Sequence, residues 1–330
     1  MIVLNTSAAD FVAMLVAVRD FLAGNGWTVV TDGTAGGSLV VENANGHKYR
    51  LTRTTQARTD FYTGAFTDTL LNIAWDRGNT GGSAGTYSTV TTTNDMTGPF
   101  PNIWLFTDEA ATFCYIVAQT APVRYSHTGF GELDPKGLHE SRIDFAAGLY
   151  WYYWSNSAQY ADNNGEGNPF NYLPNGNHRI DYTDGAAWIG IPDGLLDPGL
   201  FFTDGPTMSQ PWRLCDREYL KSTGVNNTAY WADYFCNVTN KPFAGGIILT
   251  PLPVAANPAS QDVMSIVGEY PQMALVNMQG LSPGQTLTLA DDEWLVFPWK
   301  QFGTAEAMKY GSNPLPQPNS WRYGFAYRSN

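Results

Sequence analysis

The stretch Val276–Arg328, VNMQGLSPGQTLTLADDEWLVFPWKQFGTAEAMKYGSNPLPQPNSWRYGFAYR, decides the fold class. Ser282-Pro283-Gly284 is turn chemistry, Thr286 and Thr288 alternate with apolar neighbours, and Trp294-Leu295-Val296-Phe297 is a continuous apolar run. That is the pattern of a strand pair. Tyr323–Tyr327 reads as one more strand, so the stretch is a set of small β-modules used structurally. Nothing in it is a nucleophile, a metal cage or a phosphate loop.

Composition points the same way. With 330 residues, 43% of them hydrophobic and 14% aromatic, the chain can bury a sizeable core in one large or two medium domains. Only 15% of residues are charged while Gly numbers 33 and Pro 20, which favours short strands joined by many loops over helical bundles. A net charge of −12 and a pI near 4.6 argue against a surface that grips nucleic acid, yet suit the lining of a passage through which DNA slides without sticking. Cys114, Cys215 and Cys236 form neither a disulfide framework nor a zinc signature and are expected as buried free thiols. The opening MIVLNTSAADF lacks a basic leader region, and no apolar run is long enough to span a bilayer, so a soluble chain made in a cytoplasm, without membrane partners, is expected.

Helical periodicity is strong in one place. Phe11, Leu15, Val18 and Leu22 recur at i, i+4, i+7 and i+11, with Ser7 as the expected N-cap and Gly24-Asn25-Gly26 as the stop. Strands are expected at Trp27–Thr31, Ser38–Glu42 and near Lys48–Arg53, with a turn at Asn43–Gly46 between the last two. Further strands are expected at Leu70–Trp75, Ile103–Phe106, Phe113–Gln119, Tyr125–Glu132, Leu149–Trp154, Ala187–Ile191, Gly246–Leu249, Val263–Val267 and Ala274–Asn277. Asp76–Asn94 and Tyr160–His178 read as long loops, of the length that usually makes contacts. The expected fold is α+β and predominantly β: an N-terminal amphipathic helix packed on a β-meander, followed by a β-rich, loop-rich body. One large domain over 1–330 is expected, with a division into an α+β part, 1–128, and a β-rich part, 129–330, as the alternative.

Candidate chemistry is sparse. Carboxylates lie near one another at Glu132/Asp134, Glu140/Asp144 and Asp291/Asp292/Glu293, and a glycoside hydrolase needs two of them facing each other across a cleft. Trp151, Tyr152, Tyr153 and Trp154 then offer a sugar platform, although the aromatics read equally as sheet formers and Asp291-Asp292 as a turn. His47, His127, His139 and His178 are scattered, and His139-Glu140 lacks the second histidine of a zinc-protease helix. Serine-nucleophile, phosphate-loop and dinucleotide patterns are absent, and Gly129, Gly131 and Gly137 read as turn geometry. No catalytic, cofactor-binding or metal residue is assigned, no cofactor is expected, and the chain reads as a non-enzyme.

Three segments together suggest a family. AADFVAMLVAVRDFLAGNGWTVV at the start, RYSHTGFGELDPKG with its H-x-G-F-G-x-L pattern, and GLSPGQTLTLADDEWLVFPWKQF followed by YGFAYR resemble segments of virion structural proteins of tailed bacteriophages. The resemblance implies a viral tail, neck (collar) or baseplate component without catalytic residues. It would be assembled in the host cytoplasm, reside in the virion and act as a symmetric homo-oligomer among other virion proteins. A capsid decoration protein, or a carbohydrate-binding or glycan-cleaving protein, is the alternative.

Overall fold

Side chains alternate across a strand, so a strand carrying large apolar residues at every position must be covered on both faces. Phe113-Cys114-Tyr115-Ile116-Val117-Ala118 is such a run, and all six residues are buried. A computed structural model shows what covers them. It describes residues 1–60, 64–76, 78, 83–93, 96–135, 143–149, 176–184, 187–191, 212–214, 249–258, 265–278, 280–298 and 323–330.

The run lies in β8 (Phe113–Ala121), inside a seven-stranded central sheet. Its order is β1 (Ile2–Ala8), β7 (Phe100–Thr107), β8, β9 (Arg124–Glu132), β11 (Ile143–Leu149), β12 (Gly176–Asp184) and β13 (Ala187–Ile191), antiparallel at every pairing. A five-stranded meander of β2 (Thr28–Gly33), β3 (Ser38–Glu42), β4 (Lys48–Asp60), β5 (Gly64–Asp76) and β6 (Tyr87–Thr93) forms the second sheet. The third, outer sheet runs β14 (Trp212–Leu214), β15 (Thr250–Pro258), β16 (Ser265–Asn277), β19 (Tyr323–Arg328), β18 (Asp292–Pro298) and β17 (Gln285–Leu289), with β10 (Asp134–Pro135) also paired to β16.

The single α-helix among the described residues, α1 (Phe11–Gly24), buries Phe11, Met14, Leu15, Val18, Phe21 and Leu22. With meander residues Leu39, Val41, Tyr49, Leu51, Leu71 and Ile73 they cover one face of the central sheet, through Ile103, Leu105, Cys114, Ile116 and Phe130. The chain is therefore mostly strand, with the amphipathic helix packed on the meander, as its apolar periodicity predicts. The cap differs: Asp10, not Ser7, accepts the Ala13 amide at 2.8 Å, because Ser7 belongs to β1. The stop holds, with Asn25 as C-cap and Gly26 at φ +89°.

Three other readings change. β6 occupies part of the expected 76–94 loop, since Tyr87–Thr93 is rich in β-branched threonine. Residues 265–267 of the strand expected at 263–267, and the whole strand expected at 274–277, form parts of one thirteen-residue strand, β16, with Gln272 at φ +53° inside it, while 263 and 264 lie outside the described residues. Gly129 and Gly131 lie within β9 and not at a turn. The 128/129 boundary falls inside that same strand. The segments 150–154, 160–175 and 246–248, and Cys215 and Cys236, lie outside the described residues. Cys114 is a buried free thiol whose pKa is pushed up by burial.

Two glycines permit close strand approach. Gly131 adopts φ +135°, and a Cβ there would sit 2.4 Å from the Phe113 Cα. A Cβ on Gly324 would lie 2.1 Å from the Phe297 carbonyl oxygen, in the strand to which β19 is paired. Replacing Gly324 by Ala forces β19 away from β18 and should destabilise the protein by about 3 kcal/mol. Gly36→Ala, with nothing within 4 Å, serves as the control and should change stability by less than about 0.5 kcal/mol. Urea unfolding of both variants checks this, and equal stabilities would refute the packing argument. Removing 323–330 should cost more, because Phe325 and Tyr327 are both fully buried and β16 and β18 lose their common neighbour. At about 2–3 kcal/mol per buried aromatic plus the lost pairing, that loss approaches a typical total stability. The truncated chain is expected to lose cooperative thermal unfolding of the outer sheet.

Candidate functional site

Two polar clusters stand out, one at each face of the central sheet. On the meander side, β9 and β11 set Glu132 directly opposite Asp144. These residues belong to different sequence pairs, 132/134 and 140/144, and only the strand pairing unites them. Asp144 is buried, and its Oδ1 accepts the Tyr49 hydroxyl at 2.5 Å and contacts His47 Nδ1 at 2.7 Å. Glu132 accepts from the side-chain amides of Asn43 and Asn45, the latter at 3.1 Å. Asn43 Oδ1 in turn accepts the amides of Asn45, at 3.1 Å, and His47, at 2.8 Å.

This constellation ties the turn between β3 and β4 to the central sheet. A glycosidase pair needs two carboxylates turned toward a substrate, one of them protonated. Here each carboxylate is engaged by groups from the 43–49 segment. His47 and Asp144 form a dyad, yet among the described residues no hydroxyl or thiol is hydrogen-bonded to that imidazole. Among those residues, too, no group of three His, Cys, Asp or Glu has metal-binding geometry. What the arrangement does chemically is hold two sheets in register with charge-assisted hydrogen bonds.

On the opposite face, His127 is fully buried between the central and outer sheets. Its Nε2 lies 2.8 Å from the Pro298 carbonyl oxygen and its Nδ1 lies 2.9 Å from the Tyr327 hydroxyl. A carbonyl can only accept, so Nε2 carries the proton and Nδ1 accepts from Tyr327. Aromatic rings surround the pair: Phe106 stacks on Tyr327 at 4.9 Å, Trp104 meets Phe297 at 4.7 Å and Phe325 meets the imidazole edge-on at 5.2 Å. Tyr115 donates to the Pro271 carbonyl at 2.9 Å and lies 5.3 Å from Tyr327. Burial raises the pKa of Tyr115, Tyr270 and Tyr327, so these phenols stay neutral.

The remaining candidates separate. Asp134 sits in β10, paired with Glu269. Asp292 begins β18 and forms an ion pair with Arg328, and Glu293 is fastened through its amide to Asn330 at 2.9 Å, so this acidic turn is tied to the strand beside it. His178 lies on β12. Gly137, His139, Glu140 and Trp151–Trp154 lie outside the described residues. The His127 and Asp144 anchorages were not visible in sequence, because their partners stand on other strands far along the chain.

The His127 site makes stability depend on pH. Burial lowers its pKa from 6.5 to about 4, against the opposing pull of the Pro298 carbonyl. In the unfolded chain the ring titrates near its ordinary value, so its contribution is complete above pH 6.5 and is lost as pH falls through 4. The difference corresponds to about 3 kcal/mol. Urea unfolding between pH 7 and pH 4 should show this loss. His127→Phe should be less stable at pH 7, because Tyr327 and Pro298 lose their partner, and should show a shallower slope over the same range. Parallel slopes for the two proteins would refute the linkage.

No protein-family model fits the chain, and no curated protein aligns with it. The functional reading therefore rests on residues and geometry.

Proposed function

We propose that the chain is a non-enzymatic structural component of a tailed-phage particle, built into a ring at the neck, tail or baseplate and acting through contacts between subunits. One observation carries this reading: the three segments that resemble virion proteins, far apart in sequence, interlock. Trp27 of the first packs edge-on against Phe130 of the second at 5.7 Å. His127 of the second contacts Tyr327 of the third at 2.9 Å. Shared sequence features that converge on one core are what a common fold requires. The net charge of −12 supports a wall that does not retain DNA.

A glycan-cleaving protein is the second reading, favoured by the facing of Glu132 and Asp144 across β9 and β11. The engagement of both carboxylates by Asn43, Asn45, His47 and Tyr49 weighs against it.

Mass spectrometry of purified particles, with cryo-electron microscopy of the same sample, tests the proposal. The chain is expected in the particle in fixed ratio to its neighbours and in a symmetric ring. A stable monomer missing from purified particles would overturn it. Glycan hydrolysis lost in both Glu132→Gln and Asp144→Asn, with folding intact, would establish the second reading instead.

A further inference from the structure

We propose that Asn45 is a site of spontaneous covalent change: its side chain closes on the Gly46 nitrogen, loses ammonia and hydrolyses to aspartate or isoaspartate, loosening the turn between β3 and β4 from the central sheet. The inference is independent of the particle reading above.

Water is the only co-reactant. The Gly46 amide gives up its proton to solvent base, and its nitrogen bonds to the side-chain carbonyl carbon of Asn45. The bond from that carbon to Nδ2 breaks, and Nδ2 leaves as ammonia with a proton taken from solvent. One water then opens the five-membered imide at either carbonyl. The product is an aspartate, or an isoaspartate whose main chain runs through the former side-chain carbon. Glycine after the asparagine favours ring closure, because it has no Cβ to crowd the approach.

The sequence contains Asn-Gly at 25, 45, 164 and 175, of which Asn164 and Asn175 lie outside the described residues. The structure separates the other two. Asn25 is the C-cap of α1, with its backbone N–H donating to the Leu22 carbonyl at 3.0 Å and Nδ2 donating to the Phe21 carbonyl at 2.6 Å. Gly26 is crowded as well, since a Cβ there would lie 3.2 Å from that of Ala111. Asn45 and Gly46, by contrast, are both exposed. Beyond its chain neighbours nothing lies within 4 Å of a Cβ built on Gly46, so the ring has room. One turn bond, from the Gly46 N–H to the Asn43 carbonyl at 3.0 Å, has to open.

Glu132 restrains the reaction. Both its oxygens accept from Asn45 Nδ2 at 3.1 Å, which holds the carboxamide toward β9. Its negative charge also disfavours loss of the proton from the adjoining Gly46 amide. Once Asn45 has become an acid, the same carboxylate repels it, where before it accepted a hydrogen bond. Isoaspartate adds a carbon to the main chain of a turn whose length is set by the pairing of Glu42 with Lys48.

Peptide mass spectrometry of the full chain, aged at mildly alkaline pH with isoaspartate resolved by fragmentation, tests the proposal. Asn45 should convert about tenfold faster than Asn25, a barrier difference about the size of one hydrogen bond. Glu132→Gln should speed conversion at Asn45 and leave Asn25 unchanged. Asn45→Asp should raise hydrogen exchange across 43–49 while β8 stays protected. Equal rates at the two asparagines, an unchanged rate in Glu132→Gln, or unaltered exchange in Asn45→Asp would overturn the proposal. If Glu132→Gln does not fold, the comparison of Asn45 with Asn25 in the parent chain still decides it.

Discussion

The two-sided burial of β8 is the constraint on which the rest of the molecule depends. Phe113 and Tyr115 point to the outer sheet, while Cys114 and Ile116 point to α1 and the meander. A strand of this kind has no solvent face to lend, so neither covering layer is optional.

The two junctions are held by different chemistry. Toward the meander, mixed aliphatic and aromatic packing, with Trp27, Tyr49 and Phe130 in mutual contact, is supplemented by the Asp144–Tyr49–His47 anchorage. Toward the outer sheet, packing is aromatic and the polar groups lie deep inside. A buried imidazole with both nitrogens satisfied fixes the relative position of two sheets more narrowly than apolar contact alone, because sliding by one residue leaves two buried acceptors or donors unmatched. Aromatic rings supply area and the His127–Tyr327–Pro298 chain supplies register.

Much of this was legible from the residues. The α1 stripe, the three meander strands after it and the β17, β18 and β19 patterns follow from local periodicity, where neighbours in sequence carry the information. What escaped depends on distant partners. Ile2–Ala8 becomes a strand because Leu105 and Trp104 of β7 lie beside it, so Ser7 cannot serve as the cap that its chemistry suggests. Gly129 and Gly131 look like turn residues in isolation, yet stand opposite Tyr115 and Phe113 in β8, and a side chain on Gly131 would collide with Phe113. The Glu132–Asp144 pair exists only because β9 and β11 are neighbours; spacing along the chain proposed two other pairings.

The position of β19 has a kinetic side. It lies between β16 and β18, although in chain order it is the last of the three. The hairpin of β17 and β18 can close early through its short turn, but the β15–β16 and β17–β18 pairs cannot join into one sheet until β19 inserts between them. Long-range pairing of this type, like that of Ile2 with Thr107, makes for high contact order and slow folding. Until insertion occurs, two apolar strand edges stay open, so the folding chain is most vulnerable to aggregation in the very sheet that later contributes its most tightly packed rings.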